Sequence, residues 1–218
     1  MTAHVEDSSP DRASYFWSRM GSFLAFAPLG VWTVSHVFAN MASLQGAEAW
    51  QTAVTGHTHP ASLVATTLIV MLPIAIHTVW GIKRLASSKP NNQRYGYFAN
   101  LKYLLQRASA IGVLLFLGAH LTLAFFKPRL TTGRPEAFAD ISHEMAHNPP
   151  TLIVYVLGTL GVAYHLGNGL QGFCMSWGIA TTREGLRHVE RVGYAVFVVL
   201  WGMSLAAIYG LYRAGAAS

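Results

Sequence analysis

The chain has 218 residues, 52% of them hydrophobic and only 11% charged, with a mean hydropathy of +0.35. A soluble domain carries about 25% charged residues, so the composition excludes an ordinary soluble fold and leaves no room for a separate soluble domain. The net charge of +6 does not point to nucleic acid, because the Lys and Arg sit at the ends of apolar runs, where membrane topology explains them. Cys174 is the only cysteine, which excludes an internal disulfide and an iron–sulfur cluster housed by this chain alone. There is no C-x-x-C-H sequence, which excludes covalent c-type haem.

No Asp, Glu, Lys or Arg occurs in 20–47, 49–82, 108–126, 145–182 or 192–212. A spanning helix needs about 20 mostly apolar residues. The pattern predicts an all-α integral membrane bundle of five transmembrane helices, forming one domain over 1–218. Residues 1–18 lack the apolar core of a cleavable signal and read as a retained N-terminus. Tyr15, Phe16 and Trp17 then form an interfacial patch ahead of Arg19.

Span one is expected at about 21–40, with Pro28 inside it and His36 near its end. The loop at 41–61 has no Lys or Arg and contains Glu48, Trp50, His57, His59 and Pro60. Span two is expected at 63–82, with Pro73 one turn before His77, a position that can kink a helix. A basic loop follows, with Lys83, Arg84, Lys89, Arg94, Lys102 and Arg107. Span three covers about 108–126 and has His120 late in it. The loop at 127–150 mixes Lys127, Arg129 and Arg134 with Glu136, Asp140 and Glu144. His143 and His147 there stand at i and i+4, a spacing that can bind metal on a helix. No third ligand accompanies them, so they read as a solvated face. Span four is expected at 151–177, and span five at 192–212. Span five has no histidine and reads as packing.

Eleven of the 15 Lys and Arg fall in the N-terminus and the second and fourth loops. The positive-inside rule then places the N-terminus inside and the C-terminus outside. Gly167 to Gly172 matches G-x-G-x-x-G, but it lies within an apolar, helix-length run instead of between a strand and a helix, so it is not a dinucleotide site.

Four consecutive spans thus carry one histidine each. An ionisable residue inside a span is costly and is a functional candidate by default; a neutral histidine bonded to a neighbouring helix is the plain alternative for any one of them. Counted along the spans, His36 and His120 lie toward the outer face, and His77 and His165 toward the inner face. The two layers are about 10 Å apart at 1.5 Å per residue. Two imidazoles at one depth on different helices suit axial ligation of a haem from both sides. In span four, Gly158, Gly161, Gly169 and Gly172 share a helix face with His165, a strip against which a flat cofactor could lie. A proton relay usually includes carboxylates, which these spans lack. A metal transporter gathers its ligands at one depth, and a haem-free anchor does not explain the layers.

The chain resembles the five-span, di-haem cytochrome b membrane subunit of succinate:quinone oxidoreductases, including fumarate reductases. The likeness runs through Arg19 and Ser22, Gly46-Ala47-Glu48-Ala49, and Leu105-Gln106-Arg107. Its most specific part is the run from His165 through Asn168-Gly169 to Trp177-Gly178-Ile179. The resemblance implies two haem b groups, one held by His36 and His120 (outer) and one by His77 and His165 (inner). It implies a flavoprotein subunit and an iron–sulfur subunit docked on the inner face, so the chain is a subunit of an enzyme without its own flavin chemistry. It also implies the cytoplasmic membrane of a bacterium, and a quinone, menaquinone, reacting near the outer haem. Some members carry a glutamate two residues before the fourth histidine; here that position is Ala163. The alternatives are a di-haem cytochrome b of another quinone-linked dehydrogenase or reductase, and a haem-free membrane anchor.

Two further sets of residues follow. Haem propionates need donors in a low-dielectric setting, and Arg19, Ser22 and Arg107 lie at the inner ends of their spans; interfacial anchoring is their other reading. Glu48 is the only carboxylate of the first loop, next to the outer histidines, and is the candidate for quinone protonation. His57 and His59 come next.

Overall fold

The computed structural model describes residues 12–56, 59–89, 94 and 96–218. Among the described residues there is no strand. Five helices are long and apolar enough to cross a membrane: Tyr15–Gln45, Pro60–Ala86, Phe98–Thr132, Pro149–Ser176 and Arg183–Ala216, here spans one to five. Residues 1–11 and His57 lie outside the described residues.

All five expected spans are present, and most overrun the apolar runs that announced them. Span three has 35 residues and reaches about 52 Å, against a hydrocarbon core of about 30 Å. Its added turns hold Lys102 and Arg107, and those of span five hold Arg183, Arg187, Glu190 and Arg191. Charge ended the apolar run but not the helix, because long basic side chains reach headgroups while their stems lie along the helix. Local caps set the real ends. Thr182 Oγ1 accepts from the Gly185 amide at 3.0 Å and starts span five. Gly178, at φ 70°, stops the chain after span four, in a conformation that suits glycine.

Prolines shape the first three spans. A wide helical turn of the i→i+5 kind covers Ala25–Gly30 around Pro28, Thr67–Met71 before Pro73, and Leu121–Phe126 before Pro128. A proline ring lacks an N–H and crowds the carbonyl four residues back. Widening one turn relieves that crowding and keeps the span continuous. The expected kink at Pro73 takes this form.

Span four is the middle of the bundle. It packs along span three on one side and span five on the other, and the start of span one also touches it. Span one lies against span two and, further along, against span five. Close approach is made by small residues. A Cβ on Gly167 or on Gly193 would run into the other's backbone where spans four and five cross. A Cβ on Gly21 would overlap the Trp80 indole, and one on Gly158 would overlap the Phe116 ring. Large side chains such as Val31, Phe38, Leu115, Val198 and Val199 remain exposed along the spans, as lipid contact requires.

The two ends differ. One end carries Arg19, Lys83, Arg84, Lys102, Arg107 and the arginines that open span five; it is called the basic end below. The other is closed by the loop after span one and by a helix, Phe138–His147, within the stretch expected as a loop. That helix has an apolar face, with Phe138, Ile141 and Met145 at amphipathic spacing. The tightest core of the chain lies under it: Trp50, Phe138, Ile141, Met145, Tyr155, Ile208 and Leu211. Gln51 clamps the cap. Its Nε2 donates to the Glu136 carbonyl at 3.2 Å and its Oε1 accepts from the Phe138 amide at 3.1 Å.

Replacing Gly193 with Val places a branched side chain against the Gly167 backbone. Overpacking of this kind costs about 1–3 kcal/mol, so the variant should melt at lower temperature in detergent. Gly172→Ala, which meets open space, should stay within about 0.5 kcal/mol of the parent. Equal melting of both variants would contradict the close crossing.

Candidate functional site: two facing histidine pairs

The structure brings the four histidines together in two pairs. The rings of His36 and His120 have centroids 5.9 Å apart with planes at 69°. Those of His77 and His165 are 6.3 Å apart with planes at 68°. An imidazole–metal bond is about 2 Å long, which puts the centroids of two rings on opposite sides of one ion about 6 Å apart. Both pairs have that separation.

Each ring is oriented by a neighbour. His77 Nδ1 lies 2.9 Å from the Gly21 carbonyl. A carbonyl only accepts, so Nδ1 carries the proton and Nε2 keeps its lone pair. His165 Nδ1 lies 3.3 Å from Ser109 Oγ, whose own proton goes to the Gln106 carbonyl at 3.0 Å. The Gln106 side-chain Nε2 is as close, 3.2 Å from Nδ1, and an amide nitrogen only donates, so Nδ1 sits between a donor and a hydroxyl. The Gln106 side chain spans the same site: its Nε2 donates to the His165 carbonyl at 3.1 Å and its Oε1 accepts from Asn168 at 2.8 Å. His120 Nδ1 meets the Tyr155 hydroxyl at 3.2 Å. Asn40 donates to the His36 carbonyl at 2.9 Å and accepts from the Trp50 indole at 3.1 Å, tying His36 to the cap.

An aromatic ring on the same helix stacks on three of the four: Trp32 on His36, Trp80 on His77 and Phe116 on His120. Trp80 lies over Gly21 of span one and Phe116 over Gly158 of span four. The glycine strip beside His165 is thus turned toward span three. Phe116 covers Gly158, Val113 approaches Gly161, Gln106 approaches Gly169, and only Gly172 meets open space. A facing helix uses most of the face expected for a flat group, because glycine admits a packed side chain as readily as a ligand.

At the basic end, Arg19 Nε donates to the Ser176 carbonyl, and the Trp177 indole donates to Ser22 Oγ at 3.2 Å. Arg19 and Ser22 therefore staple the start of span one to the end of span four. Arg107 differs. Its guanidinium lies 3.3 Å from the Tyr103 ring centre, and its Nε is buried without a hydrogen-bond partner among the described residues. A buried, unmet N–H on a cation fits an anionic group such as a propionate.

The model of the family described as succinate dehydrogenase/fumarate reductase transmembrane subunit matches residues 88–207. The chain belongs to this family. The succinate dehydrogenase cytochrome b558 subunit of Bacillus subtilis (strain 168) is 29% identical to it over 202 residues, covering 89% of this chain and 96% of that one. The protein is a multi-pass bacterial membrane subunit of the succinate dehydrogenase type.

At the capped end of this transmembrane subunit, Glu48 is exposed in the first turn of the short helix Ala47–Trp50. His59 is exposed and caps span two, its Nδ1 accepting from Ala61. His143 and His147 stack on each other at 4.5 Å. Among the described residues, no group of three or more His, Cys, Asp or Glu is gathered as for a metal ion. Among the described residues, the buried carboxyl at this end is Glu136, only 9% exposed. Burial, with Asp140 adding to it and Arg129 opposing, pushes its pKa from 4.5 up to about 8. Its place in a mixed charged loop gave no sign of burial; that depends on the helix at Phe138–His147 folding over the bundle.

The sign of the resulting pH dependence is fixed. A carboxyl whose pKa rises on folding contributes fully to stability below pH 4.5 and loses that contribution as pH climbs to about 8. Glu136→Gln removes the titration. The melting temperature of the variant, minus that of the parent, should therefore grow from pH 5 to pH 9. A constant difference would contradict the raised pKa.

Proposed function

We propose that this chain is the cytochrome b subunit that carries electrons from succinate dehydrogenase's soluble subunits to a quinone, through two haem b groups. The observation that carries the reading is the two facing imidazole pairs in the apolar middle of the bundle. His77 and His165 would hold the haem nearer the basic end, and His36 and His120 the haem nearer the cap. Held by these pairs, the haem groups would supply one-electron transfer.

The chain's own residues prepare for this. Gly21, Ser109, Gln106 and Tyr155 meet the Nδ1 side of the His77, His165 and His120 rings, which would turn Nε2 toward the iron. Arg107 offers an unmet donor to a propionate, with Arg19 and Ser22 beside the same inner site. The basic end faces the cytoplasm and receives the flavoprotein and iron–sulfur subunits, in keeping with the positive-inside rule. The N-terminus is inside and the C-terminus outside. The quinone, menaquinone by resemblance, reacts at the capped end, where Glu48 stands on the rim. Ala163 is fully buried and carries no proton, so proton traffic is assigned to the capped end.

A pyridine haemochrome assay on the purified complex should give close to two haems b per chain; a ratio near one or zero overturns the reading. The complex should co-purify with succinate-oxidising subunits, and succinate should reduce both haems.

Replacing His165 should alter the same spectral component as replacing His77, and block succinate-driven reduction of the other haem. Replacing His120 should alter the component shared with His36 and leave the first haem reducible. Loss of one component by both His77 and His36 variants would refute the pairing.

A further inference from the structure

Glu136, the one buried carboxyl among the described residues of the capped end, has a cleft in front of it. The cleft has a volume of about 310 Å³ and lies between the end of span three and the helix Phe138–His147, with Glu136, Asp140, His143, Lys127, Leu123 and Ile141 among its walls. That volume is at the small end of the range for small-molecule sites, about 300–1,000 Å³. It suits a single aromatic ring system better than a whole lipid. Outside the cleft, Phe126 and Leu130 of span three are exposed, giving an apolar track into the membrane for a hydrocarbon tail.

Glu136 is the unusual group in this cleft. Lys127 pairs with Glu144 at 3.7 Å, and Glu144 is also held by Asn148 and Thr151. The Glu136 carboxyl has no hydrogen-bond or ion-pair partner among the described residues; only its backbone is held, by Gln51. A carboxyl so little exposed, with only the cleft before it and no protein partner for its charge, favours the neutral form. The inner wall of the cleft leads to the proposed electron path. Leu123 and Ile141 pack in the same cluster as Tyr155, whose hydroxyl contacts His120.

We propose that a quinone ring enters this cleft and that Glu136 is the catalytic acid that protonates it. The proposal rests on the functional reading above, which supplies the electrons. Reduction of a quinone to a quinol takes up two electrons and two protons. The electrons come from succinate by way of the His36–His120 site. The carboxyl O–H of Glu136 breaks as an O–H bond forms on one quinone oxygen, and the other oxygen takes its proton from water in the cleft. The carboxylate then regains a proton from water at the mouth of the cleft, where Asp140 and His143 stand. The charged and titratable groups facing Glu136 are Asp140 and His143 of the cap helix, Lys127 and Arg129 of span three, Glu144, and Tyr155 of span four. A carboxyl that titrates near pH 8 is protonated at neutral pH yet able to release its proton, which is what a general acid requires. Glu48 is open to water and gives a quinone nothing that bulk water does not.

The test uses the intact complex with a short-tailed, water-soluble quinone. Glu136→Gln should lower succinate-driven quinone reduction at least about tenfold, while both haem spectra and their reduction by succinate stay as in the parent. The decline of the parent's rate above about pH 8 should vanish in this variant, and Glu136→Asp should restore part of the rate. Infrared spectra give a readout independent of turnover: the parent should show a protonated carboxyl band that fades near pH 8 and shifts when the quinone is added. That band should be missing from Glu136→Gln. Parent-like turnover and pH profile in Glu136→Gln, or a carboxyl band indifferent to quinone, overturns the proposal. A loss confined to Glu48→Gln overturns it too, leaving the haem reading intact. Failure of succinate to reduce the haems of the parent sinks that reading instead, and the infrared response to quinone still decides the role of Glu136.

Discussion

A polar ring nitrogen in a membrane interior must find a partner, because no water is there to supply one. Four imidazoles impose that demand four times, and the bundle is arranged around meeting it. The Gly21 carbonyl, Ser109, Tyr155 and Asn40 each come from a different stretch of chain and each meets one ring, Asn40 at His36 Nε2. Three of these links join separate helices. The bonds that orient the rings are therefore also bonds that hold spans together: one to two, three to four, and again three to four. The requirement of the site and the requirement of the fold are the same requirement.

Glycine and aromatic side chains complete this arrangement in two similar units. In one, His77 and Trp80 of span two lie against Gly21 of span one. In the other, His120 and Phe116 of span three lie against Gly158 of span four. Each unit sets a stacked aromatic beside an imidazole and gives the aromatic a side-chain-free patch of backbone to rest on. Packing of this sort supplies van der Waals contact where the hydrophobic effect cannot drive helices together.

Much of this was legible in the sequence. Uncharged runs announced five spans, and the four histidines stood out because no Asp, Glu, Lys or Arg shares those runs. What escaped depended on contacts between distant segments. The helices of spans three and five continue past the apolar runs, where Lys102 and Glu190 looked like loop charges but pair across two helices. Tyr155 looked like one more apolar residue until His120 was placed beside it. Gln106 and Asn168 carried a faint signal, as amides next to or inside apolar stretches, but only the folded chain shows that they bond to each other. The cap at Phe138–His147 hid behind its charges: the apolar face has three residues, too few to stand out in a loop that also holds Asp140, Glu144 and two histidines. Glu136 was lost with it.

The contrast between the two ends has a further consequence. The capped end is sealed by its own apolar cluster, while the basic end is held by a few staples, among them Arg19 to Ser176, Trp177 to Ser22 and Lys102 to Glu190. Seven buried side chains share the contact at the capped end, so trimming any one of them leaves the others in place. Each staple at the basic end stands largely alone, and its loss removes a whole link between two spans.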